Sequence, residues 1–414
     1  MAKEPSHDIA DLGLAEDGEA RIVWASQQMP VLAQIRERFA ADRPLDDIRV
    51  AACLHVTAET ANLIDTLRAG GAEAALCSAN PLSVQDDVAA ALVANHQVEV
   101  RARRGEDSDS YAAHVRTLIE SRPQVTLDDG ADLIVTAHER GSLDGLIGGV
   151  EETATGLVRI RRLELQRPVL AANEARTERA LNDRYGTGQS ALDGIVRASH
   201  VLLAGHTLVV IGYGWAGQGV AERARGAGAA VIVCEIDPLR ALEARMAGYE
   251  VMPVIEAAER GDMFVTVTGS RKVLRREHFE RMKNGAVLAN AGHFDVEIDL
   301  DELDVLATGG SREVRPLVRQ YELGDGRRLN LLAEGRVVNL AAAEGHPAAV
   351  MDVSFALQAL CVEELVRRGG ELAPAVHPVP AAIDREIAGL KLQALGVAID
   401  EPTAEQADYR DSWA

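Results

Sequence analysis

The sequence predicts an α/β protein with two doubly wound parallel-sheet domains, a cleft between them and a short C-terminal tail. Short apolar runs typical of buried strands alternate with helical patterns along most of the chain. The chain has 36 glycines and only 3% aromatic residues, which suits close packing of small aliphatic side chains. Its 414 residues exceed what one hydrophobic core usually holds, so more than one domain is expected.

The first part of the chain reads as strands separated by amphipathic helices. Strands are predicted at 48–54, 74–77, 98–100 and 125–127, and helices at 57–70, 83–94 and 109–121. In doubly wound sheets, ligands bind at the carboxyl ends of the strands. His55 and the pair Asp128–Asp129 fall at such ends, so we expect them to face a binding site.

A glycine-rich turn dominates the second part. Gly212, Gly214 and Gly217 form G-x-G-x-x-G directly after an apolar run. A helical stretch and a second apolar run ending at Glu235 follow. The glycines let a pyrophosphate approach the backbone, the helix N-terminus attracts it, and the acid binds a ribose diol. Glu235 would repel a 2′-phosphate and no arginine follows before Arg240, so the pattern favours NAD over NADP.

The domain boundaries follow from this order. The turn belongs to a Rossmann NAD-binding domain predicted at 190–345, with later strands near 264–268, 286–290 and 304–307. A helical connection at 173–204 leads into it, and helical segments at 346–369 return to the first half. The substrate-binding domain is therefore expected at 1–175 and 346–378, and a C-terminal oligomerisation tail at 379–414.

Composition excludes several partners. The net charge of −21 disfavours nucleic acid and anionic membranes, because both are polyanions. No apolar run is long enough to suggest a membrane span, and the N-terminus lacks a signal-peptide pattern. The four cysteines form no C-x-x-C pair, which indicates buried thiols in a reducing compartment. We expect a cytoplasmic protein without a metal site.

Several motifs spread over the chain point to one family. They are AACLHVT at 51–57, SANPLSVQDD at 78–87, DDGAD at 128–132, EETATG at 151–156, YGTGQS at 185–190, EIDP at 235–238, NAGHFDVEID at 290–299, LAEGRVVNL at 332–340 and GHP at 345–347. Over nearly its whole length the chain resembles the S-adenosylhomocysteine hydrolase (adenosylhomocysteinase) family, in its shorter archaeal and bacterial form. The tail ends in Ser412-Trp-Ala, without the lysine- and tyrosine-containing extension that reaches a neighbouring subunit's NAD in other members.

The resemblance implies a redox-neutral reaction on a nucleoside. In the family, NAD⁺ takes a hydride from C3′, and the 3′-ketone acidifies the C4′ proton. A base removes that proton, the 5′ substituent leaves, water adds to the alkene, and NADH returns the hydride. The resemblance also implies a homo-oligomer, either a tetramer or a dimer.

Roles for individual residues also come from the resemblance. Asp129 is the candidate base, His55 assists in proton transfer, and Glu152 holds the ribose hydroxyls. Thr57 and Glu59 bind the adenine edge. The other expected site residues are His293, His346 and Met351 on the substrate and nicotinamide sides, and Thr153, Thr155, Glu235, Asn290 and Asn339 with the three glycines of the turn around NAD.

One segment departs from the family pattern. Glu178 stands where the family has a catalytic lysine, Asn182 stands where it has an aspartate, and Asp183 stands where it usually has an asparagine. That lysine and aspartate contact the sugar hydroxyl that is oxidised, and the Lys-to-Glu exchange swings the local charge by two units. Arg176 and Arg179 are nearby cations, but α-helical geometry places them on other faces than Glu178. Asn182 lies at i+4 from Glu178, which supports a shared site.

The departure leaves three functional readings open. Near Asp129 and Glu152, a crowded Glu178 would be protonated at neutral pH and could donate to a poor leaving group. Hydroxide needs such an acid far more than a thiolate does, so the first reading is a nucleoside dehydratase that expels water. The second is true hydrolysis of S-adenosylhomocysteine to adenosine and homocysteine. The third is a catalytically silent NAD-binding regulator.

Overall fold

The computed structural model describes residues 5–412 and contains two mainly parallel sheets, each covered by helices. This confirms the predicted fold class of two α/β domains. Within residues 5–412, no helix is long and apolar enough to cross a membrane.

The first sheet is parallel throughout. In spatial order its strands are Val376–Pro378, Val169–Ala171, Gly148–Glu151, Val125–Asp128, Arg49–Leu54, Glu73–Ser78 and Glu99–Arg101. Strand order reverses between Arg49–Leu54 and Val125–Asp128, which are neighbours although far apart in sequence. Such a reversal opens a crevice at the carboxyl ends of the two strands, and His55 and Asp129 follow those ends directly.

Helices cover both faces of this sheet. They are Ala15–Ser26, Pro30–Asp42, Ala58–Ala69, Asp86–Ala94, Ser108–Glu120, Asp132–Glu139, Ala154–Ile160 and Ala348–Arg368. The last is a 21-residue helix with buried residues on most of its faces, and it packs into the same core as the N-terminal helices. The chain therefore returns to the first domain after the second.

The second sheet contains a parallel six-stranded part extended by an antiparallel hairpin. In spatial order its strands are Ser311–Arg315, Val318–Glu322, Arg328–Leu332, Val287–Asn290, Met263–Thr266, Thr207–Ile211, Ala230–Cys234 and Glu250–Val251. The six parallel strands have the Rossmann order, and the reversal lies between Thr207–Ile211 and Met263–Thr266. The glycine turn follows the first of these two strands.

The helices of this domain are Trp215–Gly226, Pro238–Met246, Val254–Ala257, Arg276–Phe279, Leu300–Leu306 and Val338–Ala341. The strand expected near 304–307 is wrong, because Leu300–Leu306 is helical. Asp299 caps this helix by accepting a bond from the Glu302 amide, and Leu303 is fully buried on its inner face. A short apolar run alone does not distinguish a strand from one buried turn of helix.

The connection between the domains is helical but not α-helical throughout. Glu178–Thr187 forms a π-helix and Gly188–Ser199 continues it as an α-helix. The i→i+5 bonds of a π-helix widen the turn, and such segments are rare outside functional sites. This segment carries the positions where the sequence departs from the family pattern.

The C-terminal segment belongs in part to the first domain. Helix Ala381–Ala394 buries Ile383 and Ile387 in the first core, and Asp384 accepts bonds from the Arg176 and Thr177 amides. Beyond it, Leu395, Val397 and Ile399 are exposed. The predicted domain limits and the oligomeric role of 379–414 stay predictions, although the first part of that tail packs on its own chain.

Two glycines allow the connection to touch the Rossmann helix Trp215–Gly226 backbone to backbone. A Cβ on Gly219 would lie 1.8 Å from the Arg184 carbonyl oxygen, and a Cβ on Gly188 would lie 2.6 Å from the Gly219 carbonyl carbon. Any side chain at Gly219 would push the π-helix away from the glycine turn.

We predict that Gly219→Ala lowers the free energy of unfolding by about 1–3 kcal/mol, because the backbone must move to admit the methyl group. Gly389→Ala is the matched control, since Gly389 is helical and a Cβ there meets nothing within 4 Å. The control is expected to stabilise the chain by about 0.5–1 kcal/mol. Urea unfolding measures both, and equal effects would contradict the packing.

Candidate functional site

A cavity of ≈ 460 Å³ lies between the two domains, and the crevices of both sheets open into it. Its walls contain His55, Asp129 and Glu152 from the first domain, and Gly214, Thr268 and His293 from the second. The other predicted residues in its walls are Thr57, Glu59, Thr153, Thr155, Asn182, Asn339, His346 and Met351. Residues that are far apart in sequence therefore meet in one site.

Asp129 and His55 form an ion pair at the base of the cavity. His55 Nε2 lies 3.1 Å from Asp129 Oδ2, and His55 Nδ1 lies 2.6 Å from Ser83 Oγ. The Ser83 hydroxyl donates to the Asn80 carbonyl oxygen at 2.8 Å, so Nδ1 of His55 is the donor to Ser83. With Nε2 facing a carboxylate, both ring nitrogens donate and the ring is an imidazolium.

The electrostatics agree with this assignment. Burial alone would lower the pKa of His55, but the adjacent charge of Asp129 outweighs it and raises that pKa. Burial alone would raise the pKa of Asp129, but the charge and hydrogen bond of His55 lower it to about 2. Asp129 Oδ1 is buried and has no hydrogen-bond partner among residues 5–412, and His293 Nδ1 stays 3.8 Å away. This oxygen is an available proton acceptor.

The second histidine of the site is neutral. His346 Nδ1 donates to Asn182 Oδ1 at 2.6 Å, and Nε2 lies 3.2 Å from Thr187 Oγ1. Burial, reinforced by the positive charge of His55, lowers the pKa of His346 to about 4. Nε2 therefore accepts from Thr187, and the ring links the π-helix to the segment that returns to the first domain. Burial also lowers the pKa of His293.

Glu178 lies behind the cavity wall rather than in it. It is 1% exposed, and its Oε1 is 3.2 Å from Ser354 Oγ, which also lies 3.0 Å from Glu152 Oε1. Gln358 donates to Glu152 Oε2. Burial, together with the charge of Asp129, raises the pKa of Glu152 to about 8.

The acidic neighbours of these residues serve the backbone. Asp128 accepts bonds from the Leu133 and Ile134 amides at 2.7 and 3.1 Å, so it caps the helix Asp132–Glu139. Glu151 accepts bonds from the Gly130 and Thr153 amides. These bonds fix the turns that present Asp129 and Glu152 to the cavity.

On the cofactor side, the glycine turn fits a dinucleotide. Gly212 has φ +102°, and a Cβ on Gly217 would lie 2.1 Å from the Gly212 carbonyl oxygen. Gly214 begins the helix Trp215–Gly226 without a side-chain cap, which leaves N-terminal amides free for a phosphate. Asn339 donates to Ser190, and its buried Oδ1 has no partner among residues 5–412. That oxygen is an acceptor available to a carboxamide.

Three of the predicted cofactor contacts have other bonds in the structure. Glu235 accepts from the Tyr213, Ile236 and Asp237 amides. Thr153 donates to Glu151 and caps the helix Ala154–Ile160. Asn290 is fully buried and its amide bonds carbonyl oxygens of Gly292, Phe294 and Gly335. Their contacts with a cofactor stay predictions, as do the roles assigned to the other site residues.

Sequence reasoning missed several residues of the site. Arg179 lines the cavity with Asn182 and Asp183, on another face of the π-helix than the buried Glu178, and the sequence did not reveal that this face meets the cavity. Arg176 remains outside. Ser354 and Gln358 were missed although they are polar, four residues apart and set in an apolar helix, which is a readable signal. Glu297, which binds the Thr268 and Gly269 amides, left no such signal.

Comparison with known proteins places the chain in a family. Residues 6–145 match the family model described as S-adenosyl-L-homocysteine hydrolase, and residues 183–345 match the model of its NAD binding domain. The chain is 57% identical over 412 residues to the adenosylhomocysteinase of Aquifex aeolicus, covering 98% of both chains. It is 51% identical over 415 residues to that of Saccharolobus solfataricus, covering 99% of both.

A third relative has a different printed name. The chain is 49% identical over 419 residues to the S-inosyl-L-homocysteine hydrolase of Methanopyrus kandleri, covering 100% of this chain and 99% of that protein. Full-length identity at this level, with both family models matched, is decisive for membership. The chain is an NAD-dependent enzyme of the S-adenosyl-L-homocysteine hydrolase family.

Proposed function

We propose that the enzyme hydrolyses S-adenosylhomocysteine to adenosine and homocysteine. The observation that carries this proposal is the Asp129–His55 ion pair in a cavity that is also lined by the glycine turn. Asp129 Oδ1 has no hydrogen-bond partner there among residues 5–412. The full-length identity to two proteins named adenosylhomocysteinase supports the same reaction.

The site residues have distinct tasks in this reaction. When bound, NAD supplies the acceptor for the hydride from C3′, and Glu152, the carboxyl group expected at the ribose hydroxyls, takes the proton of the 3′-hydroxyl. The 3′-ketone that results makes the C4′ hydrogen acidic. Asp129 Oδ1 accepts the C4′ proton, because it is ionised and has no competing donor. His55 holds Asp129 in place and carries a proton that can be passed to the departing or entering group at C5′. The two domains enclose the reacting atoms and limit the access of water.

We favour hydrolysis over the dehydration that Glu178 suggested. Dehydration required a proton donor facing a hydroxyl leaving group, whereas Glu178 faces Ser354 behind the wall. The three relatives described above are named for homocysteine derivatives, and a thiolate leaves without a strong acid. The retained Asp129–His55 pair also disfavours a silent regulator.

We further infer a homo-oligomer, a dimer or tetramer, located in the cytoplasm. The exposed Leu395, Val397 and Ile399 at the end of the chain are apolar surface that a second subunit could cover.

The substrate is tested by offering three compounds separately to the purified enzyme with NAD: S-adenosylhomocysteine, S-inosylhomocysteine and adenosine. We expect rapid release of a free thiol from S-adenosylhomocysteine, followed with a thiol reagent, and adenosine as the nucleoside product by mass. Faster turnover of the inosyl compound would reassign the base. A product of adenosine lighter by one water, with no thiol released from either thioether, would contradict hydrolysis and support dehydration.

Asp129→Asn separates oxidation from proton removal. We expect the rate of thiol release to fall by roughly 10²–10⁴-fold, because the amide cannot accept the C4′ proton. Reduced nicotinamide should still appear by its absorbance when substrate is added, since C3′ oxidation does not use this carboxylate. Asp144→Asn, an exposed aspartate of the same domain, is the control and should match the wild type. Unchanged thiol release in Asp129→Asn would remove Asp129 from the role of base.

A further inference from the structure

Four buried side chains form a hydrogen-bonded group behind the cavity wall, which we term the carboxyl cluster: Glu152, Glu178, Ser354 and Gln358. Glu178 and the two helix residues are each 1% exposed, and Glu152 is 8% exposed. Glu152 is the member that reaches the cavity. The cluster joins the end of strand Gly148–Glu151, the π-helix and the long helix Ala348–Arg368.

The hydrogens of the cluster can be counted. Ser354 Oγ lies 3.0 Å from Glu152 Oε1, 3.2 Å from Glu178 Oε1 and 3.4 Å from Gln358 Nε2. A hydroxyl has one hydrogen to donate and two lone pairs. Gln358 donates, so it takes one lone pair. The single Ser354 hydrogen can serve only one of the two glutamates, and with both ionised the other contact would join two oxygens with no hydrogen between them.

The partners of the two glutamates differ. Glu152 Oε2 receives a bond from Gln358, which opposes the rise in the pKa of Glu152 and makes Glu152 the glutamate of the pair that ionises first. Glu178 Oε2 is buried and has no hydrogen-bond partner among residues 5–412. An ionised carboxylate with a bare buried oxygen is much more costly than a neutral acid in the same place. The extra hydrogen therefore belongs on Glu178.

The charges around Glu178 act in the same direction. Glu152 at the strand end and Asp183 on the π-helix are both acidic. The Cys361 thiol on the long helix is a further titratable group nearby, and the charge of Glu178 contributes to the rise in its pKa. Burial, then the charges of Glu152 and Asp183, raise the pKa of Glu178 well above its ordinary value. The neighbouring polar groups of Ser354 and Asn182 oppose this rise in the pKa of Glu178 without cancelling it.

We propose that Glu178 is a neutral carboxylic acid in the resting enzyme and donates its proton to Ser354, which donates to Glu152, the glutamate of the pair that ionises first. Glu178 is then a positioning residue, because it acts on the cavity through Ser354 and Glu152. The proton makes Glu178 a hydrogen-bond donor at the position where the family pattern has a lysine.

This assignment accounts for the exchanges at positions 178 and 182 of the diverged segment. Glutamate in place of lysine lowers the formal charge by two, asparagine in place of aspartate returns one, and the proton on Glu178 returns the other. Positions 178 and 182 together thus stay neutral, as a Lys⁺–Asp⁻ pair is, while Asp183, where the family pattern usually has asparagine, adds an acid beside them. Asn182 is uncharged, and its Oδ1 accepts a hydrogen bond from His346 Nδ1. The charges lost at positions 178 and 182 therefore offset each other.

The proposal has a consequence for catalysis that rests on the proposed hydrolysis. While Glu178 is neutral, the single Ser354 hydrogen serves Glu152 alone and the orientation of Glu152 toward the cavity is fixed. When Glu178 ionises at higher pH, the two carboxylates compete for one hydrogen and Glu152 loses that orientation. We expect an alkaline limb in the pH profile of kcat/KM that is absent in Glu178→Gln, because an amide donates to Ser354 but does not ionise.

Infrared spectroscopy of the full-length holoenzyme tests the proton directly and without turnover. At neutral pH we expect the carbonyl stretching band of a protonated carboxyl group that is lost in Glu178→Gln and kept in Glu152→Gln. The exposed Glu259→Gln is the control and should leave that band unchanged. Ser354→Ala, which removes the proton's acceptor, should shift the band and also covers the case that Glu178→Gln does not fold.

The outcomes separate this proposal from the proposed function. An unchanged band in Glu178→Gln, or loss of the band in Glu152→Gln, would overturn the assignment of the proton to Glu178 whatever the enzyme hydrolyses. Failure of thiol release with the expected infrared pattern would instead overturn the hydrolysis alone.

The same proton affects stability. Folding raises the pKa of Glu178, so at pH values above the ordinary glutamate range the native state binds one more proton than the unfolded state. The contribution of Glu178 to the free energy of unfolding is therefore largest at or below that range and falls as the pH rises. Glu178→Gln should flatten this fall and leave the variant more stable than the wild type at alkaline pH. Thermal unfolding at a series of pH values measures it, and parallel curves would contradict a neutral Glu178.

Discussion

The structure depends on the reversal of strand order in each of its two sheets. A reversal leaves a crevice at the carboxyl ends of two neighbouring strands, and here both crevices open into one cavity. The first sheet delivers His55 and Asp129 to the cavity, and the second delivers the glycine turn. Neither domain holds both the proton-transfer groups and the dinucleotide turn, so the reaction requires the two domains together.

This arrangement buries several acidic side chains close together, and each of them has different hydrogen-bond and charge partners. Asp129 is kept ionised by the imidazolium of His55. Asp128 and Glu151 are tied to backbone amides and shape the turns. Glu152 and Glu178 share one serine hydroxyl, which leaves room for one charge between them. Asp129 is the acid among these that lines the cavity with an unpartnered carboxylate oxygen, Oδ1, which is available for chemistry.

The sequence was a good guide wherever local pattern decides structure. The glycine turn and the strands leading to His55 and Asp129 depend on short-range periodicity and turn chemistry, and both could be predicted. The π-helix could not be predicted, because its contacts with the helix Trp215–Gly226 and with the long helix join segments that are distant in sequence. The α-helical reading therefore did not reveal that Arg179 lines the cavity while Glu178 lies behind its wall.

The supporting polar residues were harder to predict than the residues they support. Ser354 and Gln358 are about 200 residues away from Glu152 in sequence, and only the fold brings them together. Read from the sequence alone, Glu178 suggested an acid for a leaving group; its position behind the wall changes that to a support for Glu152. Chemistry was therefore predictable at strand ends and not where distant helices meet.

The central claim is that the two crevices hold a nucleoside and NAD against each other, with Asp129 as the base. The most direct measurement is a crystal structure of the holoenzyme with an adenosine-type nucleoside bound. The account predicts the nicotinamide ring facing C3′ of the sugar and Asp129 Oδ1 within contact distance of C4′. A nucleoside bound with its sugar turned away from Asp129, or NAD seated away from the glycine turn, would contradict it.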